Sequence, residues 1–394
     1  MELTTKQAQG LKIAIDRWRA GERYTVISGY AGSGKSTLVK FIVEALVHEG
    51  VKRDKIGYAC FTGKATQVLI DKGNKNAVTL HKLLYHATLM PNGRYKYKPK
   101  PYLEYDVVVI DECSMAPNKL IKQLASHKRV YCIFVGDPGQ LPPIYKDDDN
   151  HLLDKPHIFL DEIMRQAQDS GIIRLSMLIR EGKPITGFAS NEANVISTSR
   201  ITDQALMQSD INLCATNATR NSLNRYIREL YGFSGPIPQE SEKVICLHNE
   251  WDFISNKGNA LTNGCIGYLH NIYEEKFRYP YFVYKKGSVD VVSGTFITET
   301  GDDFGNLPTD KLLYTTGEQT ISNEDKYKIL KREMLLPIEF DYAYAITVHK
   351  SQGSEWDNVL VLEEGFPFSK EEHKKWLYTA ITRASKTVTV YSKR

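Results

Sequence analysis

Short apolar runs alternate with helical patterns over the first 165 residues of the chain. The runs TVISG, IGYACFT, DVVVIDE and YCIFVGD each have the pattern of a buried parallel strand that leads into a polar loop. The alternation returns at INLCATN (211–217), and a helical stretch follows it through residue 231. Such alternation predicts doubly wound α/β sheets, whose ligands bind beyond the carboxyl ends of the strands.

The pattern differs between about residues 239 and 336. There KVICLHNE, GCIGYLHNIY and YPYFVYKKG are rich in β-forming residues and are separated by Gly, Asn and Pro. A polar, acidic stretch at 309–325 matches no pattern that we can assign. The α/β alternation resumes with FDYAYAITVHKSQGSEWDNVLVLE and ends with KTVTVY. We predict two α/β lobes, the second of which is interrupted by a small barrel-like β insert.

Composition and charge narrow the class of protein only slightly. At 394 residues the chain can bury more than one core, and its net charge of +4 is weak support for a polyanionic partner. No two of the six cysteines have C-x-x-C spacing, so we expect reduced cysteines rather than a metal site or disulfides. Because no signal-peptide core and no membrane-spanning apolar run is present, we expect a cytoplasmic protein without a membrane partner.

The segment GYAGSGKST (29–37) matches the phosphate-loop pattern G-x-x-x-x-G-K-[ST] between a predicted strand and a predicted helix. Backbone N–H groups of such a loop, together with the helix N-terminus, bind phosphate oxygens. Lys35 would contact the β- and γ-phosphates, and the Ser36 hydroxyl would ligate Mg²⁺. The alternative, a glycine-rich turn without a ligand, is disfavoured by the strand and helix context. The predicted nucleotide contacts here are Gly29, Ala31, Gly32, Ser33, Gly34, Lys35, Ser36 and Thr37.

Two further predicted strands end in residues suited to nucleoside triphosphate hydrolysis. In VVVIDECSM, Asp111 can hold Mg²⁺ and Glu112 can orient the attacking water. In GDPGQLPPI, Gln140 can contact the γ-phosphate or the water beside it. Each motif alone also fits a polar turn. Together with the phosphate loop they predict a triphosphatase site.

The ordered motifs GYAGSGKST, FTGKATQ, TLHKLL, VIDECSM, GDPGQLPPI, IMRQ, ITVHKSQGSEW and YTAITRA resemble those of the superfamily 1 helicases. The resemblance covers nearly the whole chain and is closest to the 5′→3′ branch of RecD and Dda, with a compact length most similar to the Dda-type members. VHKSQGSE and TAITRA are highly specific for this family. The resemblance implies two RecA-like phosphate-loop lobes that bind ATP and Mg²⁺.

The resemblance also implies roles for single residues. Gln7 lies where such helicases contact adenine, and Gly353 and Glu355 lie in the motif that contacts nucleotide and DNA. Arg165 and Arg383 occupy the positions of the two arginine fingers. A planar guanidinium neutralises charge on the γ-phosphate, and a finger contributes about 10³–10⁵ in rate. Without the motif context, a surface ion pair would be the expected role of either arginine.

The resemblance places a single-stranded DNA path across the two lobes. Hydroxyl, amide and backbone N–H groups at strand ends suit sequence-independent phosphate contacts, and Lys adds a salt-sensitive charge. Each of these residues alone is more often a helix cap or a surface residue. The predicted contacts are Thr62, Gly63, Lys64, Thr79, His81, Thr216, Asn217, Thr347, His349, Lys350 and Ser351.

Two inserts are expected from the resemblance. LTNGCIGYL (261–269) corresponds to the NGxxG motif of an SH3-like barrel. YHATLMPNGRYKYKPKPYLEY (85–105) lies where this branch has a strand-separating hairpin, the pin, with Asn92-Gly93 suited to a type I′ turn between ATLM and RYKYK. A surface hairpin that packs on the lobe below is the alternative. The wedge candidates are Met90, Pro91, Tyr95 and Tyr97, and the phosphate-binding candidates are Arg94, Lys96 and Lys98.

The predicted division is lobe 1A at 1–165 with the pin at 85–105, lobe 2A at 166–238 and 337–394, and the SH3-like insert at 239–336. We predict an ATP-dependent DNA helicase that moves 5′→3′, acts as a monomer on single strands and duplex junctions, and cooperates with a single-strand-binding or replication or recombination protein. The alternatives are a RecD-like motor subunit of a nuclease complex, an RNA helicase, and a phosphate-loop switch without motor action. The RecD-like alternative is disfavoured because we expect no long N-terminal extension of the kind that such subunits often have. The resemblance to Dda-type members suggests a phage origin, hence the host cytoplasm.

Overall fold

The structure, a computed structural model, describes residues 3–71, 73–89, 95–142, 150–164, 169–330, 335–365 and 369–393. Met90, Pro91, Arg94 and Arg165 lie outside these described residues. Of Tyr95, Lys96 and Tyr97 only the backbone is described. The predictions that concern these side chains therefore stay predictions.

The elements follow one another as the hydrophobic pattern predicts over most of the chain. The helices are α1 (Thr5–Arg19), α2 (Lys35–His48), α3 (Gly63–Asp71), α4 (Leu80–Leu84), α5 (Asn118–Ser126), α6 (Gly171–Arg180), α7 (Asp203–Gln208), α8 (Asn217–Leu230), α9 (Lys311–Thr316), α10 (Asn323–Leu330), α11 (Val348–Ser351) and α12 (Lys370–Ile381). The strands are β1 (Tyr24–Gly29), β2 (Ile56–Cys60), β3 (Val78–Thr79), β4 (Tyr85–Leu89), β5 (Tyr95–Pro99), β6 (Val107–Ile110), β7 (Tyr131–Gly136), β8 (Ile158–Leu160), β9 (Ala193–Ser197), β10 (Ile211–Cys214), β11 (Glu242–Cys246), β12 (Glu250–Ile254), β13 (Ala260–Leu261), β14 (Ile266–Arg278), β15 (Ser288–Thr298), β16 (Asp303–Asp310), β17 (Phe340–Tyr342), β18 (Ala345–Thr347), β19 (Trp356–Leu362) and β20 (Ala384–Ser392).

The chain forms two compact units. The first contains Met1–Tyr85, Pro99–Ala215 and Thr347–Arg394, and the second contains His86–Lys98 and Thr216–Ile346. Both α/β segments at the chain ends therefore belong to one compact unit. The four-segment division predicted from the sequence describes sheets and inserts rather than compact units, and it stays a prediction.

The first unit contains a parallel sheet in the order β3-β2-β6-β7-β1-β8. The strands β6 and β7 are buried along their whole length, which is why they are continuous apolar runs. Ile27, Val109 and Ile133 pack with α1 and α2, whereas Val26 and Phe134 face the core that contains α4 and α5. The strands are parallel, so their carboxyl ends lie at one edge of the sheet.

A second sheet has the order β18-β10-β19-β20-β9, and its pairs β10–β19, β19–β20 and β20–β9 are parallel. The helix α12 leads into β20, and its residues Trp376 to Ile381 are buried. The prediction of an α/β fold with parallel sheets is confirmed.

The second unit contains a mainly antiparallel sheet in the order β16-β15-β14-β11-β17 and a two-stranded sheet β12-β13. YPYFVYKKG was expected to be strand, which is wrong: residues 279–287 form a turn between β14 and β15 because Pro280 cannot donate to a ladder. FDY, expected to begin the resumed α/β pattern, forms β17 and pairs antiparallel with β11. β4 and β5 form a two-stranded sheet, and the pin and the SH3-like insert stay predictions.

The acidic stretch at 309–325 now has a local structural role. Asp310 caps α9 by accepting from the backbone N–H of Leu312 at 3.0 Å and also accepts from the N–H of Thr320 at 2.9 Å. Ser322 directly precedes α10, and its hydroxyl accepts a hydrogen bond from the N–H of Asp325 in the first turn of that helix. Within the described parts of the chain, none of the helices has the length and apolar character needed to cross a membrane.

Candidate functional site

The phosphate loop connects β1 to α2 and has the backbone that a phosphate cradle requires. Gly32 and Gly34 have φ of 75° and 80°, a region that favours glycine. A Cβ on Gly34 would lie 2.3 Å from Nε2 of Gln7. Ser33 Oγ is buried, and among the described residues it has no hydrogen-bond partner. An unpartnered hydroxyl inside a glycine loop at a helix N-terminus fits a phosphate ligand.

Lys35, at the start of α2, lies against the loop. Its Nζ donates to the carbonyl oxygens of Gly29 and Tyr30 at 2.7 and 3.0 Å. Oδ2 of the buried Asp137 is 3.9 Å from the same Nζ. Burial raises the pKa of Asp137, and the Lys35 charge and hydrogen bonds from Tyr378 and Gly139 oppose that rise.

Gln7 holds the phosphate loop through a side-chain hydrogen bond. With Thr4 it forms the capping box of α1, and its Nε2 donates to the Gly34 carbonyl at 3.1 Å. The side chain is 1% exposed. Both amide atoms have structural partners, and the adenine contact stays a prediction.

Asp111 and Glu112 follow β6 directly. Asp111 Oδ1 accepts from the Glu112 N–H at 2.9 Å, and Glu112 has the left-handed φ of 50°. A non-glycine residue in that region stores strain of a kind found at functional sites. Burial, followed by these two carboxylates, raises the pKa of the neighbouring Cys113, so its thiol stays protonated and is a poor metal ligand.

Gln140 connects two other predicted catalytic residues, Glu112 and Arg383. In the amide orientation that satisfies both neighbours, its nitrogen donates to Glu112 Oε2 at 3.2 Å and its oxygen accepts from Arg383 Nη2 at 3.3 Å. Arg383 is 6% exposed, and its guanidinium also donates to the carbonyls of Thr379 and Ser354. The geometry therefore brings Arg383, distant in sequence, to the strand ends of the first sheet.

Tyr378 was missed from the sequence. Its hydroxyl accepts from the Ala31 N–H of the phosphate loop at 2.9 Å and donates to Asp137 Oδ2 at 2.7 Å. Its ring lies over Gly139, where an added Cβ would be 2.9 Å from the ring. The tyrosine of YTAITRA was the only available signal, since it stands five residues before Arg383 in that motif.

Arg180, at the end of α6, was also missed. Its guanidinium carbon lies 3.7 Å from the ring centroid of Tyr30, the second residue of the phosphate loop. No motif in the sequence pointed to this arginine. α6 and α12 thus both contact the loop.

The predicted DNA contacts of the first unit lie at strand ends or in the helices that directly follow them, and several have local partners. Thr62 and Thr79 cap α3 and α4 through the N–H groups of Ala65 and Lys82. Gly353, with φ of 78°, lies against α3, since an added Cβ would be 2.8 Å from Cβ of Ala65. Ser351 is buried and donates to the Val348 carbonyl. The remaining members Gly63, Lys64, Thr347, His349 and Lys350 are buried or half-buried, whereas Glu355 is exposed.

Two histidines among the predicted DNA contacts, His81 and His349, lack the positive charge that would attract a phosphate. Burial lowers the pKa of His81 and of His349 below the usual 6.5. His81 also lies 6.0 Å from the ring of Phe61 and 6.3 Å from that of Tyr85. Both imidazoles are therefore neutral near pH 7 and suit hydrogen bonding or ring contacts.

In the second unit, Thr216 caps α8 through the Thr219 N–H, and Asn217 is exposed at the first helical position. Across the described residues, no group of three or more His, Cys, Asp or Glu side chains is arranged for a metal ion. Mg²⁺ that is bound with nucleotide phosphates needs only one or two carboxylates, so Ser36 and Asp111 fit such an ion.

Family models match both ends of the chain. One described as an AAA domain matches residues 2–199, and one described as a UvrD-like helicase C-terminal domain matches residues 342–391. Residues 2–199 make up just over half of the chain. The second match contains Gly353, Tyr378 and Arg383.

Two helicases and one solved structure are similar to this chain beyond the family models. The ATP-dependent RecD2 DNA helicase of Deinococcus radiodurans is 28% identical over 93% of this chain and 46% of its own length. The ATP-dependent DNA helicase dda of Enterobacteria phage T4 is 34% identical over 36% of this chain and 33% of its own. The structure of Pif1 helicase from Candida albicans shares the fold, with a TM-score of 0.54 at 20% identity over 100% of this chain and 94% of that chain.

The curated relatives that align with 93% of the chain are longer, and the chain spans 36% to 70% of their length. The phosphate loop and Gln140 lie within the residues matched by the AAA domain, and Arg383 lies within those matched by the UvrD-like helicase C-terminal domain. The chain therefore belongs to the AAA domain family, as a RecD- and Dda-like member of the superfamily 1 helicases.

Proposed function

We propose that the protein is an ATP-dependent DNA helicase that translocates 5′→3′ on single-stranded DNA and unwinds duplex DNA. The bridge that Gln140 makes between Glu112 and Arg383 carries this proposal. The bridge joins Glu112, which would orient the attacking water, to the Arg383 guanidinium, which comes from the C-terminal segment. A contact of this kind can couple phosphoryl transfer to movement of that segment. The names of the relatives, both ATP-dependent helicases, support it.

ATP would bind along residues 29–37, with Lys35 on the β- and γ-phosphates and Gln7, Gly353 and Glu355 as further contacts. Ser36 and Asp111 would hold Mg²⁺, which neutralises phosphate charge when bound. Glu112 would orient the attacking water. Gln140 would contact the γ-phosphate or that water, and Arg165 and Arg383 would stabilise the charge of the transition state.

DNA would contact single residues of the predicted track. These are Thr62, Gly63, Lys64, Thr79, His81, Asn217, Thr347, His349, Lys350 and Ser351. We further propose that the β4–β5 hairpin is a pin and that residues 239–336 are an SH3-like insert. The protein would act as a monomer in the cytoplasm, or in the host cytoplasm of a phage, with a replication or recombination protein as partner.

The test compares unwinding of a 5′-tailed and a 3′-tailed duplex with ATP. Wild-type protein should unwind the 5′-tailed substrate, and Lys35→Ala should abolish ATP turnover while leaving DNA binding nearly intact. Preference for the 3′ tail would contradict the polarity. Unwinding of neither substrate would favour a motor that works only in a complex, or a switch protein.

A further inference from the structure

The turn at residues 279–287, called here the aromatic turn, closes the long ribbon of β14 and β15. Its backbone is held by hydrogen bonds within the turn. These run from the Tyr279 N–H to the Gly287 carbonyl (2.8 Å), from the Val283 and Tyr284 N–H groups to the Pro280 carbonyl (2.8 and 3.0 Å), and from the Gly287 N–H to the Tyr284 carbonyl (2.9 Å). The turn is therefore a defined structure.

The inner side chains of the turn anchor it. Tyr279, Val283 and Tyr284 are buried in a separate core with Val289, Val291, Ile321 and Ile329. The rings of Tyr279 and Tyr284 meet edge to face at 5.9 Å, and the Tyr279 hydroxyl donates to the Leu335 carbonyl at 2.8 Å. This core fixes the direction of the residues between them.

Those residues, Tyr281 and Phe282, are each 73% exposed. Two neighbouring aromatic side chains that are largely exposed on an ordered turn leave apolar area in water, which is typical of a binding surface. Lys285 and Lys286 are exposed in the same turn, and Arg278 is exposed at the end of β14.

In the described turn and the adjoining ribbon ends, the exposed cations Arg278, Lys285 and Lys286 outnumber the carboxylates that stand outside ion pairs. Asp290 pairs with Lys276 at 3.5 Å, and Glu274 pairs with Lys311. Glu275 accepts a hydrogen bond from Ser293. The exposed cations beside Tyr281 therefore favour an anionic ligand.

We propose that the aromatic turn binds single-stranded nucleic acid, with Tyr281 and Phe282 stacking on bases and Arg278, Lys285 and Lys286 contacting phosphates. Exposed π faces accept any base, and the flanking cations follow the backbone, which is the chemistry of sequence-independent single-strand binding. A purely apolar partner would gain nothing from these cations. The proposal rests on the proposed function, to which it adds a binding site in the second unit.

The experiment measures anisotropy of fluorescein-labelled oligothymidylates with the full chain. The variant Tyr281→Ser with Phe282→Ser should raise Kd at least about fivefold, since stacking contributes about 1–3 kcal/mol per base. Tyr273→Ser, on the same ribbon and 48% exposed, is the matched control and should leave Kd unchanged. Lys285→Ala with Lys286→Ala should reduce the salt slope of log Kd by about 0.7 for each phosphate that is no longer neutralised.

Tyr281→Trp keeps the stacking surface, so it should bind as wild type does and report the contact by a fluorescence change on DNA addition. DNA-independent ATP hydrolysis should be equal in all the variants. Equal Kd for the double variant and wild type would overturn the inference while leaving the helicase proposal standing. Failure of wild type to bind any oligothymidylate would overturn both. Loss of binding to an acidic peptide, with oligothymidylate binding intact, would assign the turn to a protein partner and overturn the proposal.

Discussion

At the scale of single residues, the hydroxyl of Tyr378 lies between two groups that are far apart in the sequence. It accepts from Ala31 in the phosphate loop and donates to Asp137 beyond β7. The ring itself is 1% exposed. A movement of α12 would therefore displace a hydrogen-bond partner of the phosphate loop and of Asp137, the carboxylate next to Lys35.

Tyr378→Phe tests this link because it removes the hydroxyl and keeps the ring. We expect a decrease of about 1–3 kcal/mol in the free energy of unfolding, since Asp137 and the Ala31 N–H would be left without this partner. The hydrogen bond lowers the pKa of Asp137, so its removal should raise that pKa and shift the acidic limb of the ATPase pH profile to higher pH. Urea unfolding and a pH profile would measure both. Tyr391→Phe, also buried, is the control; an unmoved acidic limb would show that the contact is only structural.

Arg383 is the second residue whose role can be separated from folding. Arg383→Ala should slow ATP hydrolysis about 10³-fold or more while changing ATP affinity much less, because a finger acts on transition-state charge. Single-turnover hydrolysis and nucleotide titration measure the two effects. Arg383→Lys should recover little, since an ammonium lacks the planar donors. Equal losses in rate and affinity would contradict the finger role.

At the scale of elements, Glu339 ties the start of β17 to its surroundings in the second unit. It is 5% exposed and accepts from Nε2 of His248 and of Gln319, each at 2.8 Å, and from Lys326. Burial alone would raise the pKa of Glu339, but the hydrogen bonds from His248 and Lys326 lower it to about 2.

The lowered pKa of Glu339 predicts acid sensitivity of this unit. The carboxylate contributes stability above its ordinary value of 4.5, and that contribution disappears as the pH falls towards about 2. Glu339→Gln should therefore cost on the order of 3 kcal/mol at neutral pH and much less in acid. Urea unfolding across this range measures the difference. Glu324→Gln, on an exposed side chain, is the control, and a pH-independent loss of stability for Glu339→Gln would contradict the assignment.

At the scale of the whole molecule, helicase action needs ATP turnover and strand separation to be distinct functions. The β4–β5 hairpin is attached at its base, where the Lys100 N–H donates to the Leu84 carbonyl at 2.8 Å. The tip, with Met90 and Pro91, lies outside the described residues. Its role as a wedge stays a prediction.

Met90→Gly with Pro91→Ser should reduce unwinding far more than single-stranded-DNA-stimulated ATP hydrolysis. Apolar wedges such as Met and Pro unstack base steps when they are inserted between them, and separating one duplex step costs roughly 1.4 kcal/mol. Strand-displacement and ATPase assays on the same preparation measure the ratio. Tyr273→Ser, on the β14–β15 ribbon and 48% exposed, lies outside the pin and is the control. Equal losses of the two activities would contradict the wedge.

Local patterns predicted the parallel strands because buried residues on both faces leave apolar runs, as in β6 and β7. They failed at YPYFVYKKG, where β-forming aromatic residues form a turn and pack in a small core beneath it. They also failed at FDY, since strand direction and sheet membership depend on partners distant in sequence.

By itself the sequence determined the phosphate loop and the family, and it placed candidate catalytic residues at strand ends, because glycine conformations and short motifs are local properties. Only the tertiary structure decided that Tyr378 and Arg180 contact the phosphate loop and that Gln140 joins Glu112 to Arg383. Those contacts form between segments up to about 350 residues apart, and packing rather than local pattern sets which side chains meet.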